Sequence, residues 1–421
     1  MRNRQAFTGL AALTMTGWCA TASGNVVTDW NALALQCIPR TGPSGPLDIA
    51  LVQAAVHDAV QAIEHQYEPY RAAPAASGTE SSEAAAAAAA YRVLSDNRVC
   101  PDSAQPNLDA AFAPYLAGND PGLAIGYAAG DVLLGEWRPA PMMDFQGSTE
   151  IGQWRPTPPA NAPMAFVYVA TTTPFTLNRP SQFRPGPPPP MKSQTYAREY
   201  DEVKELGEIS SHPATAACPA PTDTDKARFW SGNFAAQWNQ VGRDLASTKQ
   251  LSIGDTARLL ALMNLAAADA GIAVWDSKIH YNFWRPITAI REGDSDPNAR
   301  TVADPGWTPF IQSGHFAAGS QTPPYPDYVS GANGLTGAYV ATLQLFFRTD
   351  WISFAVNKAT PAAVPICTNP RAFSRFSDAA QEVVDARILL GIHFRSADEE
   401  ARRLGSRVAF WAFMKTLRPK H

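Results

Sequence analysis

IGDTARLLALMNLAAADAGIAVWDSKIHYNFWRP, residues Ile253–Pro286, is the stretch from which the fold is read. It reads as one long helix from Ile253 to Trp284, halted at Pro286 because proline disfavours helix in the residue before it. Working outward, the same signal recurs on both sides. In Pro46–His65, Ile49, Val52, Val56, Val60 and Ile63 fall at steps of three and four on one helix face. Ser81–Leu94 is alanine-rich and strongly helix-forming. Leu108–Leu116, Gly122–Trp137, Asp223–Ser247, Asn333–Phe347, Ser377–Leu390 and Ala397–Leu417 continue the helical reading. In the last of these Leu404, Val408, Trp411 and Met414 share a face. Strand-like alternation is scarce and no repeat of fixed period is present. The expected class is all-α, a large multi-helix bundle.

Proline is the discordant note. The 421 residues hold 36 prolines, and 13 of them fall between Pro139 and Pro190. Regular helix is excluded there. The stretch also carries Trp154, Phe166, Tyr168, Phe175 and Phe183, a poor composition for a solvated linker. It is expected to be a long irregular segment packed on the helical body. A second loop, rich in glycine and proline, runs from Glu292 to Ser330.

The N-terminus reads as a leader. Arg2 and Arg4 precede the small, apolar run Ala6–Ala20, which is too short to span a bilayer, and Ala20-Thr21-Ala22 fits a cleavage site. Trp18 before Cys19 is too bulky for lipoprotein processing. Residues 1–24 are therefore expected to be a signal peptide and the protein to be exported, periplasmic or secreted, with residues 25–421 forming one helical domain. Removing the two leader arginines takes the net charge from -4 to -6. An acidic chain of this kind does not fit a nucleic-acid binder held by bulk basicity. Cys37, Cys100, Cys218 and Cys367 remain, an even number that suggests disulfides in an exported protein, with three pairings open. No C-x-x-C spacing points to structural zinc, and no second apolar run of membrane-spanning length is evident.

Chemistry is carried by three short segments. The first is Lys278-Ile-His-Tyr-Asn-Phe-Trp-Arg285-Pro286, whose two cations lie seven apart, about two helical turns, and so project from one face. The second is Pro326-Asp-Tyr-Val-Ser330-Gly331-Ala332-Asn333. Here Ser330 can cap the following helix, and the free N–H groups at its start form an anion site. The third is Arg387-Ile-Leu-Leu-Gly391-Ile-His393, where a glycine break turns His393 toward the space of Arg387. Singly, these are an ordinary basic face, an ordinary cap and an ordinary core histidine.

Their order is more informative. It resembles the signature shared by vanadium-dependent haloperoxidases and the acid phosphatases related to type 2 phosphatidic acid phosphatase: Lys-x6-Arg-Pro, Pro-Ser-Gly-His, Ser-Arg-x5-His-x3-Asp. Val27–Leu35, Ala273–Arg291, Thr322–Tyr328 and Gly391–Arg395 also look like bacterial vanadium haloperoxidases. The resemblance implies an oxyanion site that takes vanadate as cofactor, or phosphate in its place. His393 would be the vanadate ligand. Lys278, Arg285 and Arg387 would neutralise the oxygens, Ser330 would donate its hydroxyl and Gly331 its backbone N–H. Tyr325 and Trp275 would line a halide pocket, with Ala332 beside them. The implied partners are hydrogen peroxide, halide and a small organic acceptor, with no nucleic acid and no membrane span. Oligomeric state is left open, a homodimer included.

Seven of eleven signature positions match. Val329 replaces proline, Ala386 replaces serine, and Ala397 stands where the final aspartate is expected, with Asp398 one residue later. The main departure is Ala332, in place of the second histidine. A phosphatase would lose its general acid, whereas a haloperoxidase shares proton work with its bound group. The expected activity is therefore oxidation of bromide, with chloride a poor substrate. The alternatives are a phosphoesterase on the same site and a non-catalytic oxyanion-binding relative. Ser313-Gly314-His315 spells the missing triplet out of context; it reads as loop, with His315 as a substitute acid/base the sharper alternative.

Overall fold

A computed structural model describes residues 24–39, 42–72, 74–137, 140–141, 143–213, 218, 222–358 and 366–420. The leader, apart from its last residue, lies outside them, as does Pro139. In chain order the helices are α1 (Val26–Cys37), α2 (Ser44–Glu64), α3 (Ser82–Leu94), α4 (Gln105–Gly118), α5 (Gly122–Glu136), α6 (Gln194–Leu206) and α7 (Thr222–Phe229). They continue as α8 (Phe234–Thr248), α9 (Ile253–Tyr281), α10 (Pro286–Arg291), α11 (Gly331–Phe347), α12 (Phe376–Leu389) and α13 (Arg395–Lys415). The class is all-α, relieved by one antiparallel pair, β1 (Trp351–Val356) and β2 (Arg371–Arg375), which the sequence reading did not foresee.

α9 is the axis of the bundle. Ser252 caps it, its hydroxyl accepting from the Asp255 N–H at 3.0 Å. α2, α11 and α13 pack around it. Its apolar window has the length and composition of a membrane span, but that window is wholly buried inside the protein. It is a core helix, hydrophobic all round because it is covered all round. It ends at Tyr281, three residues short of the expected Trp284, because Asn282 takes the left-handed conformation (φ 46°) and closes it onto the Lys278 carbonyl.

Small residues set the close approaches. The alanine run of α3 is buried, and Gly126 of α5 lies so near that an added Cβ would sit 2.3 Å from the Ala85 carbonyl. At the α11–α13 crossing, a Cβ on Gly405 would fall 2.1 Å from the Gly334 carbonyl, and one on Gly337 2.3 Å from the Arg402 carbonyl. These contacts fix where the N-terminus of α11 lies.

The proline-rich segment is tied to the axis. Asp269, fully buried on α9, accepts from the N–H groups of Phe175 (2.7 Å), Thr176 (2.6 Å) and Leu177 (3.0 Å) and from the Thr176 hydroxyl. Trp411 donates to the Thr176 carbonyl, Tyr281 to that of Pro185 and Tyr328 to that of Gly186. Proline-rich backbone cannot satisfy its own carbonyls in a ladder, so helix side chains do it. Further along, the Trp154 N–H donates to the Asn282 carbonyl and the Trp284 N–H to that of Gly152. This braces the turn that follows α9.

The expected helix Asp223–Ser247 is two helices, α7 and α8, separated by Trp230–Asn233. Ser231-Gly232-Asn233 is the cause: the Asn233 side chain caps α8 by accepting from the Ala236 N–H at 3.2 Å. Disulfides join Cys37 to Cys100 and Cys218 to Cys367, with Cα atoms 5.6 and 5.5 Å apart, which selects one of the three pairings.

Candidate active site

Four pieces of backbone meet where α9 ends: its last turn, the loop before α11, the break after α12, and the bend between α7 and α8. Lys278 sits on that last turn, fully buried, with Nζ donating to the carbonyls of Pro326 (2.6 Å) and Asp327 (3.1 Å). Arg285 does not share its helix face. Because α9 stops at Tyr281, Arg285 lies in extended backbone as the residue preceding α10. It reaches the same space by another route, donating Nε to the Tyr325 carbonyl (2.7 Å) and Nη1 to that of Ile392 (2.6 Å). The two-turn spacing argument fails, and the convergence survives through the loop.

Gly391 adopts φ +73° and breaks the chain after α12, as its position suggested. That turn brings His393 inward, 1% exposed, with Nδ1 2.8 Å from Oδ1 of Asp327. Arg285 Nη1 lies 3.1 Å from Nε2 of the ring and 3.6 Å from Asp327 Oδ1. Asp327 is thus the carboxyl that orients His393. It was visible in the sequence, but nothing there joined it to a residue 66 positions away. Burial, reinforced by Arg285, Lys278 and Arg387, drives the His393 pKa well below its ordinary value, so the ring is neutral. Burial likewise holds the Asp327 carboxyl well above the carboxylate range, against the pull of Arg285 and Lys278. Lys278 is pushed far down by burial and by Arg285.

Ser330 precedes α11 in the capping position, but its side chain makes no capping bond. Its N–H is held by the Ala397 carbonyl at 2.9 Å. Its hydroxyl lies beside the Asp398 carboxyl and helps hold that group down, yet forms no hydrogen bond of ordinary geometry. Asp398 accepts from the Asn333 amide at 2.7 Å, and burial raises it to about 7. The aspartate displaced by one residue from the signature therefore still reaches the start of α11. Arg387 anchors Nη1 on the Trp230 carbonyl at 3.2 Å, in the bend between α7 and α8.

A cavity of about 230 Å³ reaches the edge of this cluster at Gly331 and Arg387; His393, Lys278, Arg285 and Ser330 lie behind its lining. Trp275 and Tyr325 wall it, their ring centroids 5.0 Å apart, with Gly331, Ala332, Arg387 and Ile392 also in its lining. Gly331 lets the Trp275 ring approach closely: a Cβ would meet it at 3.1 Å. His315 does not join. Its ring packs on Phe310 at 5.3 Å, in a separate apolar cluster with Phe316 and Ile392. Among the described residues no histidine or carboxylate lines the cavity.

The donor set fits an oxyanion. Arg285 Nη2 and Arg387 Nε are buried donors without protein partners, and Ser330 Oγ, beside the Asp398 carboxyl, has no hydrogen bond of ordinary geometry. Each such group costs about 1–3 kcal/mol unless something accepts its hydrogen. Lys278 has three N–H donors when charged and uses two on carbonyls. The first N–H groups of α11 add to these. A tetrahedral anion would supply acceptors for these donors and the counter-charge that burial withholds. Neutral His393 supplies a ring nitrogen that can bond to its central atom.

Comparison with known proteins bears on this geometry. Residues 258–419 match the family model of the VCPO second helical-bundle domain. The vanadium chloroperoxidase of Curvularia inaequalis is 25% identical over 203 residues, 43% of this chain, and the chain covers only 32% of that relative's length. Among solved structures, one described as the first bacterial vanadium dependant iodoperoxidase superposes with a TM-score of 0.74 at 23% identity, covering 94% of this chain and 96% of its own. A holo-type bacterial vanadium-dependent chloroperoxidase gives 0.63 at 18% identity, over 88% and 90%.

Proposed function

We propose, from the premise that residues 258–419 belong to the VCPO second helical-bundle family and that the whole chain has the vanadium haloperoxidase fold, that this protein is a vanadate-dependent haloperoxidase. It oxidises halide, bromide above all, with hydrogen peroxide, and passes the oxidised halogen to a small organic acceptor. The observation that carries this reading is the convergence of buried, unpartnered donors on a neutral histidine.

Each residue has a task that its geometry supports. His393 would hold the group through Nε2, since Asp327 holds Nδ1. Arg285, Arg387, Ser330 and the N–H of Gly331 would hold the oxyanion oxygens, and the arginine forks suit that shape. Lys278, steadied by two carbonyls, would when charged keep one N–H for an oxygen of the bound group. Bound vanadate supplies a Lewis-acid centre that activates peroxide toward halide. Trp275 and Tyr325 shield the halide from water, and the cavity in front of them admits it.

Phosphate fits the same cage, so a phosphoesterase is the rival. Ala332, on the cavity wall where the signature has its second histidine, supports the haloperoxidase, since a departing alcohol would find no acid at that position. Export completes the reading and is supported by the two disulfides. Protein loaded with orthovanadate is assayed for peroxide-dependent bromination of a dye, with iodide, chloride and a phosphate ester in parallel. Bromination that needs vanadate is the expected result. Phosphate release without any halogenation would overturn the reading.

A further inference from the structure

Lys358 lies outside every motif of the sequence, directly after β1. Its ammonium is half-buried at the end of α7 and donates to the carbonyls of Arg228 (2.8 Å), Phe229 (3.1 Å) and Ser231 (3.2 Å), and to the Ser231 hydroxyl (3.2 Å). Its own backbone N–H is pinned by the Asn369 side chain at 3.1 Å. The carbonyl missing from this set is that of Trp230, and that carbonyl accepts from Arg387 Nη1. Ser231, Gly232 and Arg387 all line the cavity. Without Lys358 the glycine-containing break between α7 and α8 would keep only the Ser231 hydroxyl on the Arg228 carbonyl (2.8 Å) and Arg387 on that of Trp230, leaving the Phe229 and Ser231 carbonyls without this donor.

We infer that Lys358 is a positioning residue for the oxyanion cage: by gripping the carbonyls on both sides of Trp230, it fixes the direction in which the Trp230 carbonyl presents Arg387. This rests on the oxyanion reading of the site. It assigns to the loop between β1 and β2 a role in anion affinity that no residue of the cage reveals.

The charges around Lys358 make the clamp sensitive to pH. Burial, and secondarily Arg387 on α12, lower its pKa to about 8. On α7, Arg228 shares the bend, and Asp225 is engaged by Arg371 of β2 (3.0 Å) and by the amides of Cys367 and Thr368. Glu382 of α12 is taken by Arg371 and by the Trp230 indole. Among the described residues no carboxylate pairs with Lys358. Above about pH 8 the amine loses its charge and one donor, and its grip on the bend slackens.

The test uses the full chain as wild type, Lys358→Met and Lys358→Arg. Orthovanadate affinity is measured by titration at pH 7 and pH 9, with amide hydrogen exchange followed across residues 229–233. Lys358→Met is expected to weaken vanadate binding by about tenfold or more and to speed exchange in the bend. Lys358→Arg, which keeps the charge and does not titrate, is expected to lose less affinity than wild type between the two pH values. A folded Lys358→Met protein that binds vanadate as tightly as wild type overturns the inference. If that variant fails to fold, Lys358→Arg decides alone: a pH dependence identical to that of wild type overturns it. A wild-type protein that binds no vanadate refutes the oxyanion reading instead, a distinct outcome.

Discussion

Replacing Asp327 probes the link between fold and site most sharply. Its carboxyl is fully buried, 2.8 Å from His393 Nδ1 and 3.6 Å from Arg285 Nη1. Asp327→Ala leaves Nδ1 buried without a partner, at about 1–3 kcal/mol, and frees the ring to present the wrong tautomer. Arg285 keeps two carbonyl partners, so loss of its counter-charge falls at the low end of the cost of breaking a buried pair. Vanadate affinity should drop about 10–100-fold. Asp327→Asn should behave differently. The isosteric amide still presents an oxygen to Nδ1, so it keeps the hydrogen bond and should stay within about threefold of wild type. The assay is vanadate titration of each apo variant, with ¹⁵N resonances of the His393 ring reporting the tautomer. An alanine variant that binds as tightly as wild type would refute the reasoning. So would an asparagine variant as weak as alanine, which would show that charge, not orientation, matters.

Ala332→His rebuilds the signature triplet on the cavity wall; bromide turnover should rise about tenfold or more, and an unchanged rate would show that no general base is missing. Gly405→Ala places a methyl 2.1 Å from the Gly334 carbonyl; urea denaturation should show a loss of about 1–3 kcal/mol, and wild-type stability would mean that α11 and α13 can part freely. His57, fully buried with Nε2 on the Glu68 carbonyl, has its pKa lowered from 6.5 to about 4, chiefly by burial. Between these values the unfolded chain takes up a proton that the native chain refuses. Stability is therefore lost as pH falls through this window, by about 3 kcal/mol in total. Urea midpoints of His57→Gln should fall less steeply from pH 7 to pH 4 than those of wild type, and parallel curves would contradict this.

The parts legible in the sequence were those written in local pattern. α9 announced itself by length, apolarity and Pro286, and His393 by its distance from Arg387 across Gly391. Lys278, Arg285, Ser330, Gly331 and Arg387 stand together as the signature order implied. Trp275 and Tyr325, expected to line a halide pocket, both line the cavity beside Gly331 and Ala332. What escaped depended on contacts between distant segments or on one residue's backbone angle. Asn282 in the left-handed region ended α9 early and moved Arg285 off the helix, which spacing alone could not show. The α7–α8 break hid inside a helical composition, although Ser231-Gly232-Asn233 marks it in retrospect. Asp327, Asp269 and Lys358 act on partners 42 to 130 residues away in most of their contacts, and no local period encodes that. The β1–β2 pair is too short to give a clear alternation.

The most direct measurement is a crystal of the protein soaked in orthovanadate, with anomalous density collected across the vanadium absorption edge. The account expects one vanadium peak bonded to His393 Nε2, with its oxygens on Arg285, Arg387, Ser330 and the Gly331 N–H. A peak elsewhere, or none at a concentration that supports bromination, would contradict it.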